Sequence, residues 1–380
     1  MKAQCQSLDR ISNLPQDTIE KILTHMPIRD ALRTSILSKK WRYCWTRMPK
    51  LVFDDMFTGS SIFENDVIQD YNFEDKIIKA IFQVLLLHKG PISEFCLCIE
   101  DTEIVNEIDM IILHLSWNKN IKKFIFECVI GYKLPCSFFS LQELEHLDLR
   151  CCKFELPHMF NGFSKLKILK FFEVETTTEM LQRFLSNCPL LEEFTLIRDF
   201  VGGHKCTFVE LFKCLPSIQV LIISKFYVKL FAAGGMPWKL PTSLIHLRRL
   251  VLDVCFLIQD EISSTLCLIN NSPNLEKIQI NMNYDGEKTF TNLFDIQEDY
   301  SGLNLDHLKE LEITSFHNLA TEMEFLKLIM AKSPLLKKAR IELSILVTVG
   351  EENKMLRDLL FLPFPRASPA AKFSIERPKY

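Results

Sequence analysis

The 380-residue chain lacks most features that would point to secretion, membrane insertion or catalysis. No run approaches the ~20 apolar residues of a bilayer-spanning helix, and the opening Met1-Lys-Ala-Gln-Cys-Gln has no apolar signal core. Gly-x-Ser-x-Gly, His-x-x-x-His and Walker-type sequences are absent, which removes the nucleophile elbow, the zinc helix and the phosphate loop. The thirteen cysteines are odd in number and contain no Cys-x-x-Cys pair, so neither a disulfide framework nor a zinc ribbon is expected. A net charge of −3, with 48% hydrophobic and 24% charged residues, excludes a disordered or strongly polyanion-seeking chain. The expectation is a non-catalytic cytoplasmic or nuclear protein with no cofactor and no metal.

What is present is a repeat. The pattern apolar-x-x-apolar-x-apolar begins at Ile92, Ile121, Leu144, Leu166, Leu191, Ile218, Leu247, Leu275, Leu308 and Leu336, at intervals of 22 to 33 residues. That interval accommodates one strand and one return helix of a leucine-rich repeat. The second and third apolar positions lie two residues apart, so both point into a shared core while the residues between them face outward. No repeat covers its own apolar face, so neighbours stack into a solenoid. In the longer template a small residue follows three positions on; Cys152, Cys255 and Asn283 occupy that place and are expected to turn inward as inert structural groups. Adjacent Cys151 and Cys152 point to opposite sides of a strand and are not expected to bond.

Helical stretches 179–187, 265–271 and 322–332 each stop at a proline, in Cys188-Pro189, Ser272-Pro273 and Ser333-Pro334. Gly202-Gly203 and Gly234-Gly235 read as loops between repeats. Paired acids such as Glu192-Glu193 and Glu351-Glu352 read as solvated surface, and His146, His246 and His307 stand at strand starts with no nucleophile nearby.

Residues 8–50 are different. Pro15 and Asp17 favour a helix start, and Ile19, Ile22, Leu23 and Met26 form a stripe on one helical face. Met26-Pro27 interrupts it; a second amphipathic stretch runs over 30–37, and Ser38 is placed to cap a third helix carrying Trp41 and Trp45. Three helices in about forty residues cannot bury this much apolar surface by themselves, so a partner is expected.

The run Asp9-Arg10-Ile11-Ser12-Asn13-Leu14-Pro15, with Ile22-Leu23, Met26-Pro27-Ile28-Arg29-Asp30-Ala31, Arg33 to Arg42 and Trp45, resembles a plant F-box. Leu303 to Ile341, with Glu322-Met-Glu-Phe-Leu-Lys and Ala331-Lys-Ser-Pro-Leu-Leu, is similar to the C-terminal module of the plant F-box/FBD/leucine-rich-repeat family. Two departures stand out: a glycine is missing around Asn318, and Cys44 and Met48 replace commoner leucines. The resemblance implies an α/β protein with an N-terminal three-helix F-box followed by a leucine-rich-repeat solenoid, parallel strands on one face and helices on the other. The expected boundaries are an F-box over 8–50, a linker with a short strand over 51–75, repeats over 76–302 and an FBD-like module over 303–377.

It also implies the substrate-recognition subunit of a Skp–cullin–F-box ubiquitin ligase. Leu14, Pro15, Ile19, Leu23, Leu32 and Trp41 would meet a Skp-type adaptor, which hangs from a cullin. Ten Lys/Arg against four Asp/Glu in residues 1–50 would steer an acidic adaptor. An unknown protein substrate would sit on the strand face, where Ile168, Phe172, Ile197, Ile222 and Val251 form an apolar patch unless a loop such as 226–240 covers it. Two alternatives are a non-degradative repeat scaffold and a DNA-binding protein. Tryptophans on the basic third helix count against the second, because base reading needs polar side chains; no nucleic-acid or membrane partner is expected.

Overall fold

The computed structural model describes residues 11, 14–54, 73–99, 105–118, 120–198, 208–232, 240, 243–283, 302–345, 347–361, 368 and 371–378. The chain divides into two compact units, residues 1–166 and 167–380. The first unit carries helices α1 (Gln16–Thr24) and α2 (Ile28–Arg33), then strands β1 (Lys50–Phe53), β2 (Glu94–Cys98), β3 (Lys123–Lys133) and β4 (His146–Lys153). Helices α3 (Phe73–Leu87) and α4 (Val105–Ser116) return the chain between β1 and β2 and between β2 and β3. The four strands pair in parallel and in sequence order.

The second unit repeats the arrangement with β5 (Ile168–Phe172), β6 (Glu193–Ile197), β7 (Val220–Ile223), β8 (Arg249–Val254), β9 (Lys277–Met282), β10 (Glu310–Phe316), β11 (Lys338–Leu343) and β12 (Lys372–Glu376). All eight pair in parallel with their sequence neighbours. The helices are α5 (Thr178–Ser186), α6 (Phe208–Lys213), α7 (Lys225–Ala232), α8 (Gln259–Asn270), α9 (Ala320–Ala331) and α10 (Val349–Phe361). Each unit is thus a solenoid-like parallel sheet with connecting helices, as the repeat predicts.

Each of the ten motif starts lies two residues ahead of a strand, and none is more than 3% exposed. The next two apolar positions are buried as well, as in Leu250 and Leu252 of β8 and Ile278 and Ile280 of β9. Full burial of such side chains contributes roughly 1.5–3 kcal/mol each, so every turn is held to its neighbours by apolar contact. In the first unit the core is aromatic: Phe53, Phe95, Phe124, Phe138 and Phe163 follow one another with ring centroids 5.3–6.0 Å apart. Cys152 and Cys255 are fully buried, as expected, whereas Asn283 is half-buried.

One expectation changes. The third helix of residues 8–50 is a series of turns ending in the 3-10 segment Cys44–Arg47. The Ser38 hydroxyl accepts from the Trp41 amide at 3.4 Å as a cap would, but the indole Nε1–H is held by the Ile11 carbonyl at 3.2 Å, and tight i→i−3 bonds follow. Tertiary anchoring of Trp41 therefore takes precedence over helical periodicity. Residues 51–53, read as a short strand, form part of β1, which pairs in parallel with β2. Most of the remaining joint, and both glycine pairs, lie outside the described residues.

A backbone kink recurs at the sixth residue of three strand segments. Cys151, Glu173 and Ser315 all adopt positive φ, between 51° and 56°, and each is followed by a buried residue, Cys152, Val174 or Phe316. The left-handed residue swings its successor inward and ends the regular strand, with a register shift in β10.

Candidate functional sites

Two surfaces could carry function. The first is the helical segment 14–47. Its interior is filled by Ile19, Leu23, Ile28, Ala31, Trp41, Cys44 and Trp45, all at most 5% exposed. The Lys40 ammonium donates to the Leu14 carbonyl, and the Cys44 thiol donates to the Lys40 carbonyl at 2.9 Å. The segment is tied to the first repeat by the Lys89 and Gly90 amides donating to the Thr46 carbonyl, at 2.8 and 3.2 Å. Gly90 passes so close that a Cβ there would meet the Arg47 Cα at 3.0 Å, which only glycine avoids.

Of the residues expected to meet a partner, Pro15 is exposed and Leu14 and Leu32 are half-buried. Ile19, Leu23 and Trp41 are 0%, 0% and 3% exposed, so they are corrected from surface anchors to core that supports the surface from beneath. The apolar side chains in the open are instead Ile11, Ile22, Ile36, Leu37 and Tyr43, with Ile36 at 88% and Tyr43 at 64%. Lys21, Arg33, Lys39, Lys40, Arg42 and Arg47 of the same segment are exposed as well. Periodicity placed Ile22 on the face of the first helix and Ile36 and Leu37 at the end of the second stretch, but passed over Tyr43, which sits in the turns that replace the third helix.

The second surface is the outward strand face of residues 167–380. Its middle row runs Lys170, Thr195, Ile222, Val251, Gln279, Glu312, Arg340 and Ser374 across β5 to β12. Phe172 pairs with Ile197, and Ile168, Glu193 and Val220 are neighbours in the row at the strand starts. The expected patch of Ile168, Phe172, Ile197, Ile222 and Val251 is brought together on one face, each member half-buried. Thr195, the small residue between Lys170 and Ile222, is covered at 2% exposure. The described part of 226–240 is helical to Ala232 and packs against α8, β6 and β8, while Leu240 is held by the Asn271 side chain at 3.2 Å.

From β8 onward the face becomes ionic. Arg340 donates to Glu312, Glu342 and Glu376 at 2.7, 2.8 and 3.1 Å, and Lys277 lies 3.2 and 3.6 Å from Glu310 and Glu312. Burial raises the pKa of Glu312, but hydrogen bonds from Arg340 and Gln279 outweigh it and hold the carboxyl below its ordinary value. Among the described residues no group of three or more His, Cys, Asp or Glu side chains is placed to hold a metal ion, and no helix is long and apolar enough to cross a membrane.

A small helical unit with an apolar and basic exterior, joined to parallel-strand repeats, defines the class of F-box proteins with leucine-rich repeats. Family comparison agrees: the F-box domain matches residues 11–53, the leucine-rich repeats of FBD-associated F-box protein At5g56370 match 112–229, and FBD matches 304–341. The F-box/FBD/LRR-repeat protein At1g13570 of Arabidopsis thaliana is 30% identical over 97% of this chain and 98% of its own length. The chain belongs to the F-box/FBD/LRR-repeat family. The putative FBD-associated F-box protein At5g56440 of the same plant is 32% identical over 57% of this chain and 48% of its own length.

Proposed function

We propose that this chain is the substrate receptor of a Skp–cullin–F-box ubiquitin ligase. The observation that carries this reading is the exposed group Ile22, Ile36, Leu37 and Tyr43 on a helical unit whose interior is already full. Large apolar side chains in the open, on a segment whose other exposed side chains include Lys21, Arg33, Lys39, Lys40, Arg42 and Arg47, favour an apolar and acidic partner surface, which suits a Skp-type adaptor bound in turn to a cullin. Leu14, Pro15 and Leu32 complete that surface. The strand-face patch of Ile168, Phe172, Ile197, Ile222 and Val251 holds a protein substrate, and the chain acts by raising substrate concentration beside a charged ubiquitin-conjugating enzyme. It performs no chemistry of its own and works in the cytoplasm or nucleus. The 8–50, 76–302 and 303–377 segments serve as adaptor arm, receptor and terminal module.

The test is co-purification of the full chain with a Skp-type adaptor. Leu14→Ala/Pro15→Ala and Ile36→Asp/Leu37→Asp should each lower adaptor recovery at least tenfold with an unchanged melting temperature. Trp41→Ala is unsuited, because removing a buried indole costs about 3–5 kcal/mol and unfolds the segment. Wild-type recovery by both surface variants would refute the adaptor face.

A further inference from the structure

The outward strand face changes character along the array in a way that specifies its ligand. In the row at the strand starts, Arg249, Lys277, Glu310, Lys338 and Lys372 are successive cross-strand neighbours over β8 to β12. Four cations face one carboxylate there, and Glu310 is already engaged by Lys277 at 3.2 Å. Among the described residues the Arg249 side chain donates to the neutral Gln279 side chain, at 2.6 and 3.0 Å, and to no carboxylate. Lys338 and Lys372 are directly paired, both are exposed, and neither has a carboxylate partner among the described residues. Exposed Lys337 immediately precedes Lys338.

Like charges opposite one another on neighbouring strands destabilise a sheet, and surface ion pairs contribute only ~0–1 kcal/mol each. Stability therefore gives no reason for this row. The middle row shows the contrast: there Arg340 is balanced by three carboxylates. Of these cations Arg249 is the cross-strand neighbour of Val220, next to Ile222 and Val251, while Lys338 and Lys372 stand three and four strands further along the same face.

We infer that the strand face of residues 167–380 binds an extended polypeptide segment in which apolar side chains are followed by a cluster of anionic ones. This rests on the substrate-receptor reading and names the class of substrate. The apolar side chains lie over β5 to β8, and the anions meet Arg249, Lys338 and Lys372. Strands are ~4.8 Å apart, so β8 and β11 are separated by roughly 14 Å, which an extended chain crosses in about four to six residues at ~3.3–3.6 Å each. Carboxylates and phosphorylated serines share the required chemistry.

The test uses the full chain bound to its adaptor and a displayed library of random twelve-residue peptides. Selected sequences should carry two or more Asp/Glu about four to six positions from an apolar pair. A synthetic peptide of the selected sequence should lose at least tenfold in affinity when its acids become Asn/Gln, and also between 50 and 300 mM salt. Lys338→Glu/Lys372→Glu should lose tenfold as well, and Lys338→Gln/Lys372→Gln about threefold. Replacing the acids by phosphoserine and finding tighter binding would assign phosphorylated segments; equal or weaker binding would assign plain acidic ones. Failure to select any peptide, selection of neutral or basic ones, or charge reversal changing affinity less than twofold would overturn the inference. If Phe172→Asp/Ile222→Asp abolishes binding while the lysine variants do not, the substrate face stands and only its anionic specificity falls.

Discussion

Asn318 occupies the place where the resemblance called for a glycine, and its backbone has φ 62°. Asparagine tolerates the left-handed region better than other non-glycine residues, so the departure preserves the turn. That need could not be read from the sequence, because nothing local reports the sign of φ. Just beyond it, Glu322 is 1% exposed, and its Oε2 accepts from the His317 and Leu319 amides at 2.9 and 3.0 Å. Glu261 takes the same third position of its helix and accepts from the Cys255 amide at 2.9 Å. A buried carboxylate that closes the preceding turn explains an acid inside an otherwise apolar helix. Glu322→Ala leaves two amides without acceptors and should cost about 1–3 kcal/mol in urea unfolding. Glu322→Gln keeps one carbonyl oxygen and should recover at least half of that; equal losses for both would show that charge, not hydrogen bonding, is what matters.

At the scale of elements, the strands were the most legible part, since an inward pair two residues apart fits no helix. Two strands were left out of the repeat series: β1, expected only as the short strand of a linker, and β12, not expected as a strand. Both carry the same pattern in weaker form, Met48-x-x-Leu51-x-Phe53 and Ala370-x-x-Phe373-x-Ile375, at the two ends of the repeat series. Helices α5, α8 and α9 end at the anticipated prolines, and the buried Ser272 and Ser333 hydroxyls each donate back one turn, at 2.7 and 2.5 Å. The joint between the F-box and the first repeat was not legible. There His88 Nε2–H donates to the Met48 carbonyl at 2.8 Å, and burial, outweighing that bond and the Gly90 contact, depresses its pKa below 6.5. A depressed folded pKa stabilises above the unfolded value and is lost as pH falls through the folded one. The melting temperature should therefore drop on acidification below about pH 6.5, and His88→Gln should flatten that part of the curve. An unchanged slope in the variant would assign the pH dependence to other groups.

Over the whole molecule, the cysteines record how the repeats were built. Cys44, Cys128, Cys152, Cys188, Cys255 and Cys267 are all at most 4% exposed, and none is disulfide-bonded. Burial raises the thiol pKa of Cys152 far above its ordinary value and that of Cys267 to about 11. A thiol that is both neutral and shielded reacts only when its surroundings open. Cys136, by contrast, is exposed. Stacked repeats share their cores with their neighbours, so opening should involve groups of repeats and not single strands. Pulsed alkylation across a urea series, read residue by residue by mass spectrometry, should therefore label Cys136 at once in native buffer. Cys128 and Cys152 of residues 1–166 should become reactive over one shared transition, and Cys188, Cys255 and Cys267 of residues 167–380 over another. Coincident or separate midpoints report whether the two units unfold together. Labelling of Cys152 or Cys255 in native buffer at the rate of Cys136 would contradict their structural role, and a midpoint for Cys255 well away from that of Cys267 would show that opening proceeds repeat by repeat.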